Sequence, residues 1–177
     1  MNELDLDILR HSTAHVMAAA VCRLYKDVQL DIGPATDGGF YYDFDLPHRL
    51  APEDFPAIEA EMSRLAVENL PFERLELSRS AAEALLKTAG QRFKLERLAD
   101  IPAGEKITFY RCGEFSDLCR GPHVARSSEI KAFKLMSVAG SYYRGDEHNP
   151  MLQRIYGIVA EDRETLDRQV AQAEEAL

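Results

Sequence analysis

The sequence contains no tryptophan and only three cysteines among its 177 residues. An odd number of cysteines without a regular spacing does not indicate a disulfide framework, so we expect a reducing compartment. No stretch approaches the roughly 18 uninterrupted apolar residues that a membrane-spanning helix needs. The N-terminus carries Glu3, Asp5 and Asp7 where a signal peptide has basic residues. These absences predict a cytoplasmic protein without a membrane partner.

Positive charge is also scarce, because 21 Lys and Arg face 30 Asp and Glu, which gives a net charge of −9. Such an excess argues against a protein that binds nucleic acid by bulk electrostatics. Residues 86–154 differ from the rest, with 12 basic and 8 acidic side chains, a balance of +4. Any phosphate contact is therefore expected in this middle segment, although so modest a patch is also typical of an ordinary solvated surface.

The chain has no internal repeat, low-complexity stretch or long Gly/Ser linker, which predicts one compact unit. Helical and strand patterns segregate along the sequence instead of alternating. This order favours an α+β fold with a mainly antiparallel sheet packed with helices, including a long N-terminal helix.

Local patterns predict the individual elements. Helical spacing indicates an opening helix over residues 7–25, and Asp37-Gly38-Gly39 predicts a hairpin turn. Pro52 is typical of a helix start, and Ser80 with Glu83 resembles a capping box. The remaining predictions are strands at 107–112, 132–143 and 151–160, a loop at 116–128, and an amphipathic helix at 161–177 with Leu166, Val170, Ala173 and Leu177 in register.

Two histidines four residues apart lie in the opening helix. Because His11 and His15 are one turn apart, both rings can reach one target. The loop segment "DLCRGPH" adds Asp117, Cys119 and His123 within seven residues. Two helical histidines with Cys119 and His123 could supply four ligands to tetrahedral zinc. The alternative is structural: histidines satisfied by hydrogen bonds at the edge of the core and Cys119 as a small buried apolar residue.

The combination of motifs resembles bacterial threonyl-tRNA synthetases. "HSTAH", "IGPATDGGFYYDFD", "QRFKLERL", "DLCRGPH", "FKLMSVAGSYYRGD" and "MLQRIYG" occur in that family's order. The resemblance covers residue 9 to about residue 175 and matches the editing domain, which belongs to the threonyl/alanyl-tRNA synthetase second additional domain family. Alanyl-tRNA editing domains share the histidines and Cys119, but carry a Cys-Gly-Gly-Thr-His type signature where this chain has Cys-Arg-Gly-Pro-His.

The resemblance implies a function and an organisation. Residues 1–160 would form a tRNA editing domain and residues 161–177 a C-terminal connector helix. The domain would hydrolyse seryl-tRNA(Thr) to serine and tRNA(Thr), with the acceptor end of that tRNA and the rest of the synthetase as partners. The family's ubiquitin-like domain and class II aminoacylation motifs are not in this sequence, so we expect no threonyl-tRNA synthesis from it. Tyr143, where many relatives have Trp, is expected to be a packing variation.

The resemblance also implies site residues by position. The catalytic set would be His11, His15, Lys94, Asp117, Cys119 and His123, with Tyr42 as a substrate-binding wall or adenosine contact. A histidine suits deprotonation of water, Lys94 suits stabilisation of an oxyanion, and Asp117 suits an α-ammonium group. The structural alternatives are a solvated face for Lys94, a turn cap for Asp117 and a core position for Tyr42.

Zinc separates the two branches of the family. Alanyl relatives hold it at the positions of His11, His15, Cys119 and His123, whereas the threonyl domains work with water alone. Lys94 would also oppose a nearby dication, so we expect no required metal. The alternatives are a zinc-dependent trans-editing deacylase of the alanyl-tRNA type, a structural zinc domain, and a module that binds a tRNA acceptor end without chemistry.

Overall fold

The long N-terminal helix is the centre of the fold. In the computed structural model, which describes residues 1–176, helix α1 runs over Glu3–Leu24. It begins four residues before the predicted start because the Asn2 side chain caps it, accepting a hydrogen bond from the Asp5 backbone N–H at 2.8 Å. Between Leu9 and Val21 every residue except His11 is buried, so the helix lies inside the domain and not on its surface.

The structure confirms the α+β fold class with antiparallel sheets. The other helices are α2 (Phe55–Val67), α3 (Arg79–Thr88), α4 (Arg92–Asp100) and α5 (Arg163–Glu175). The strands are β1 (Gln29–Leu30), β2 (Ala35–Thr36), β3 (Gly39–Asp45), β4 (Phe72–Leu77), β5 (Ile107–Cys112), β6 (Phe115–Leu118), β7 (Ala132–Tyr142) and β8 (Met151–Ala160). Among residues 1–176 no helix combines the length and the apolarity that crossing a bilayer requires.

The larger sheet has the order β1-β3-β8-β7, with β2 paired to β3. The predicted hairpin is present, since Thr36 pairs with Gly39 across the turn. Alternation along β3 sends Phe40, Tyr42 and Phe44 into the main core, where they pack with residues of α1 and α2. This alternation places the Tyr42 ring between the sheet and the helix that carries the histidines.

A smaller sheet of order β4-β5-β6 carries the "DLC" segment. The prediction of a loop over 116–128 is wrong at its start, because Asp117 pairs with Tyr110 and Leu118 with Phe109 in β6. Pairing with β5 buries Leu118 against Phe109, a tertiary gain that short-range composition does not reveal. Asp117 is therefore a strand residue and not a turn cap.

Two helices cover this smaller sheet. The capping box predicted at Ser80 and Glu83 is wrong: the Ser78 hydroxyl caps α3, accepting from the Ala81 N–H at 3.2 Å. Gly90 adopts φ +67° just beyond α3, as the predicted helix stop requires. Helix α4, which the sequence patterns did not predict, begins two residues later and holds Lys94 in its first turn.

The C-terminal helix α5 packs on the larger sheet. Leu166 is fully buried among Ala132, Ile158 and Ala160, with Val170 and Ala173 against the same cluster. Asp162 caps the helix by accepting from the Thr165 N–H at 2.7 Å. Leu177, the last member of the predicted stripe, lies outside the described residues.

Candidate active site

One cavity of about 450 Å³ lies where the two sheets meet α1. Its walls come from α1, β3, α4 and β6, so elements distant in sequence converge on it. Six of the seven residues predicted from the sequence line it: His11, His15, Tyr42, Lys94, Asp117 and Cys119. The seventh, His123, lies next to this wall in contact with three of the six.

A histidine–cysteine cluster forms the first half of the site. The Cys119 Sγ lies 3.3 Å from Nε2 of both His11 and His123, and those two rings stack with centroids 4.4 Å apart. A tight turn returns the chain from Cys119 to His123. Gly121 makes this turn at φ +69°, and a Cβ there would lie 2.5 Å from the Tyr110 hydroxyl oxygen, so only glycine fits.

Burial keeps this cluster electrically neutral. It lowers the pKa of His15 to about 3 and that of His123 to about 2, with smaller contributions from the neighbouring histidines. Burial also lowers the pKa of His11. Burial, with help from the Asp117 charge, raises the pKa of the Cys119 thiol to about 12. Near neutral pH the cluster therefore presents imidazole lone pairs and a protonated thiol.

His15 differs from the other two histidines in its surroundings. It is 2% exposed, and neither of its ring nitrogens has a hydrogen-bond partner among residues 1–176. Its ring packs edge-on against Phe115 at 4.8 Å and Phe72 at 5.3 Å between centroids. An unpaired buried imidazole is costly, which is typical of a group that a water molecule or ligand satisfies.

A buried ion pair forms the second half of the site. The Lys94 Nζ lies 2.9 Å from Asp117 Oδ1, and both side chains are over nine-tenths buried. Lys94 also donates a hydrogen bond to the Leu118 carbonyl at 3.0 Å. The Tyr42 hydroxyl donates to Asp117 Oδ2 at 2.7 Å, and burial followed by the Asp117 charge raises the pKa of Tyr42 well above its ordinary value. Lys94 is thus not on a solvated face, and Tyr42 joins the core to the site.

The cluster has the chemistry of a metal site. Donor atoms of His11, Cys119 and His123 all lie within 4.8 Å of one another. Tetrahedral zinc with bonds of about 2.0–2.3 Å would separate such donors by roughly 3.5 Å, close to the two observed sulfur–nitrogen distances. His15, the fourth ligand considered from the sequence, is not part of this set. The residues present therefore fit a metal held by three protein ligands.

Two residues that support this arrangement were not identified from the sequence. Thr108 lines the cavity and holds Cys119 through its hydroxyl, which donates to the Cys119 carbonyl at 2.6 Å. Ser12, fully buried in α1, contacts His123 Nδ1 at 2.9 Å. Ser12 could have been found from the sequence, because it lies between the two helical histidines. For Thr108, no local pattern distinguishes it within β5.

Comparison with known proteins agrees with the resemblance seen in the sequence. Residues 107–156 match the family model described as the threonyl and alanyl tRNA synthetase second additional domain. The chain is 54% identical over 171 residues to a threonine–tRNA ligase of Geobacillus kaustophilus, a match that covers 97% of this chain and 26% of the relative. A threonine–tRNA ligase of Nitratidesulfovibrio vulgaris strain DP4 is 53% identical, with the same shares. One from Clostridioides difficile strain 630 is 51% identical over 170 residues, with shares of 96% and 27%.

The chain thus spans about a quarter of the length of these relatives. The family model extends from β5 into β8 and includes the Asp117, Cys119 and His123 segment, while the matches to the ligases, which span 97% of this chain, add α1 and α4. The resemblance drawn from the sequence is confirmed: residues 107–156 carry the second additional domain of threonyl and alanyl tRNA synthetases, and 97% of the chain is homologous to about a quarter of a threonine–tRNA ligase.

Proposed function

We propose that this chain is the editing domain of a threonyl-tRNA synthetase and hydrolyses seryl-tRNA(Thr) to serine and tRNA(Thr). The observation that carries the proposal is that the neutral histidine–cysteine cluster and the Lys94–Asp117 pair open onto one cavity. The homology to threonine–tRNA ligases supports the choice of tRNA.

The need for such a reaction follows from the energetics of recognition. Threonine and serine differ by one methyl group, which is worth about 1–3 kcal/mol of discrimination in a binding pocket. A synthetic site alone therefore attaches serine too often. A second site that admits the seryl group, excludes threonine by contact with its methyl and cleaves the ester corrects the error.

The reaction requires water, a proton acceptor and charge stabilisation. His11 lines the cavity as a neutral imidazole and is suited to accept the proton as water oxygen bonds to the ester carbonyl carbon. The Lys94 ammonium is suited to stabilise the resulting oxyanion. The carbon–oxygen ester bond then breaks, His11 returns its proton to the ribose oxygen of the terminal adenosine, and serine leaves as its carboxylate with the second proton of the water released to solvent.

The remaining predicted residues orient the substrate and the cluster. The Asp117 carboxylate already pairs with one ammonium group, which supports its assignment to the α-ammonium of the seryl group. Tyr42 forms the cavity wall beside Asp117. The Cys119 sulfur lies between the His11 and His123 rings, within hydrogen-bonding distance of Nε2 of each, and so orients both. His15 lines the cavity and neither of its ring nitrogens has a hydrogen-bond partner within residues 1–176, which suits it to hold a water molecule.

The editing reaction as proposed does not require a metal. If zinc bound, His11, Cys119 and His123 would hold it, and it would make a bound water more acidic. Burial is the main cause of the lowered pKa of His11, and Lys94 makes a smaller contribution in the same direction while the Asp117 charge acts against it. Lys94 therefore only weakly opposes further positive charge at this ring. The three-donor geometry nevertheless makes a zinc-dependent deacylase of the alanyl-tRNA type the second candidate function.

The organisation of the chain is part of the same proposal. Residues 1–160 would be the editing unit and residues 161–177 the connector to the synthetic part of a ligase. Packing of Leu166 on the larger sheet supports a connector whose first turns are fixed to the editing unit. The acceptor end of tRNA(Thr) and the rest of the synthetase would then be the partners.

The test is a pair of deacylation rates for seryl-tRNA(Thr) and threonyl-tRNA(Thr), measured at low salt because the acidic domain is expected to bind tRNA weakly. We expect serine to be released rapidly and threonine to be spared. His11→Ala should abolish the release, whereas His148→Ala, at an exposed loop histidine, should not. If neither amino acid is released faster than in buffer, even at high protein concentration, the chain alone is at most a module that binds the tRNA acceptor end.

A further inference from the structure

The hydroxyl of Ser12 makes three contacts at once. Its Oγ lies 2.7 Å from the Ile8 carbonyl oxygen, 2.9 Å from the Val124 backbone nitrogen and 2.9 Å from His123 Nδ1. The residue is fully buried, so no bulk water competes for these positions. Ser12 thereby connects α1 to the turn that presents His123.

The donor and acceptor inventory of a hydroxyl assigns these contacts. The Ile8 carbonyl can only accept, and as the nearest partner it takes the single hydroxyl proton. The Val124 N–H can only donate, so it uses one of the two Oγ lone pairs. The second lone pair then accepts from His123 Nδ1, which must carry the proton of the neutral ring.

The assignment has a consequence at the opposite side of the ring. With the proton on Nδ1, the His123 Nε2 lone pair faces the Cys119 Sγ at 3.3 Å. A protonated thiol has one hydrogen to donate, yet the Nε2 atoms of His11 and His123 both lie 3.3 Å from that sulfur. If the thiol hydrogen goes to His123, the His11 Nε2 is free to accept a proton from water.

We propose that Ser12 is a positioning residue: it fixes His123 as the Nδ1–H tautomer, which directs the Cys119 thiol hydrogen to His123 and leaves the His11 lone pair for water. The expected effect of Ser12 on the deacylation rate rests on the function proposed above. The assignment of the His123 tautomer does not depend on that function, so each can be disproved without the other.

The first experiment measures the tautomer. Nitrogen NMR of protein labelled in its histidine rings, at neutral pH, distinguishes a protonated ring nitrogen from an unprotonated one. We expect His123 to be protonated at Nδ1 in the wild-type chain and to shift towards the Nε2–H form in Ser12→Ala. A wild-type His123 protonated at Nε2, or a spectrum unchanged by Ser12→Ala, would overturn the proposal.

Thr13 offers a matched control on the same helix. Its hydroxyl is equally buried and donates to the Leu9 carbonyl at 2.7 Å, but within residues 1–176 it makes no hydrogen bond to a histidine. Thr13→Ala should therefore leave the His123 spectrum unchanged, whereas a general loosening of α1 would move the spectrum in both variants. If Ser12→Ala does not fold, the wild-type tautomer alone decides.

The second experiment measures seryl-tRNA(Thr) deacylation. We expect Ser12→Ala to slow it by about tenfold or more, Thr13→Ala to leave it near the wild-type rate, and Ser12→Thr, which keeps the hydroxyl, to restore it. Equal slowing in Ser12→Ala and Thr13→Ala at matched thermal stability would show a structural role only. An inactive wild-type chain with the expected tautomer would count against the proposed function and not against the role of Ser12.

Discussion

The two halves of the cavity differ in charge. The histidine–cysteine half is neutral, because burial holds its imidazoles unprotonated and its thiol protonated. The other half is charged and internally paired, with Lys94 and Asp117 in contact and Tyr42 donating to the carboxylate. Neutral imidazoles suit proton acceptance, whereas a paired ammonium and carboxylate suit recognition of charge. Under the proposed function, the neutral half would accept the water proton, and the charged half would stabilise the oxyanion and bind the α-ammonium group.

Removing the charge of Asp117 is expected to have the largest effect on stability. Asp117→Asn leaves the Lys94 ammonium buried without its counter-charge, which should lower the free energy of unfolding by about 3–5 kcal/mol. Chemical denaturation of the variant measures this. Glu76→Gln, the same kind of change in exposed ion pairs, should cost less than about 1 kcal/mol. Similar losses in the two variants would mean that the charged half does not depend on its pairing.

Acid should lower the free energy of unfolding through the histidines of the neutral half. The folded pKa of His15 is about 3, below the ordinary value of 6.5, so the unfolded chain binds the proton first as the pH falls. Stability is therefore unaffected above about pH 6.5 and falls by up to about 1.4 kcal/mol per pH unit between pH 6.5 and pH 3. His15→Phe should remove this contribution, about 2 kcal/mol between pH 7 and pH 5. Unfolding curves at several pH values that remain parallel for variant and wild type would contradict the prediction.

The Tyr42 hydroxyl joins the core to the charged half, and its removal should have an intermediate effect. Tyr42→Phe deletes the hydrogen bond to the buried Asp117 carboxylate and should cost about 1–2 kcal/mol in the free energy of unfolding. Tyr143→Phe is the matched control, because the buried Tyr143 hydroxyl lies beside the Arg144 side chain and donates to no carboxylate among residues 1–176. A loss in Tyr143→Phe as large as that in Tyr42→Phe would assign the effect to packing.

Metal removal should have the smallest effect of all. If the neutral half works with water alone, prolonged treatment with a chelator changes neither the melting temperature nor the deacylation rate. A sharp fall in melting temperature would indicate structural zinc, and a loss of rate alone would favour the alanyl type of chemistry. Metal analysis of protein purified without a nickel column provides the independent check.

The sequence predicted the larger sheet better than the smaller one. The turn at Asp37-Gly38-Gly39 and the alternation of Phe40, Tyr42 and Phe44 are local signals, and both are confirmed. Strands β4 and β6 and helix α4 carry weaker patterns, because much of their apolar surface faces only a small cluster around Phe109. Pairing with β5 stabilises the two strands, and this is a tertiary effect that a linear pattern does not contain.

The residues of the cavity were identifiable, but their environments were not. Motif resemblance selected the six lining residues and His123, which the fold brings together. Spacing did not reveal that Lys94 is buried against Asp117, because Lys94 lies between Arg92 and Arg97 and reads as part of a solvated face. It also did not separate His15 from the other two histidines, since that difference arises from its burial beside Phe115 of the smaller sheet and from its unpaired ring nitrogens.

The burial of α1 on nearly all sides has a consequence for how the domain opens. The amide protons of residues 9–21 should exchange with solvent more slowly than those of α3 and α4, which pack on the smaller cluster. The two helical histidines are then fixed in the last part of the domain to unfold, whereas Lys94 is attached to a part that opens at lower cost.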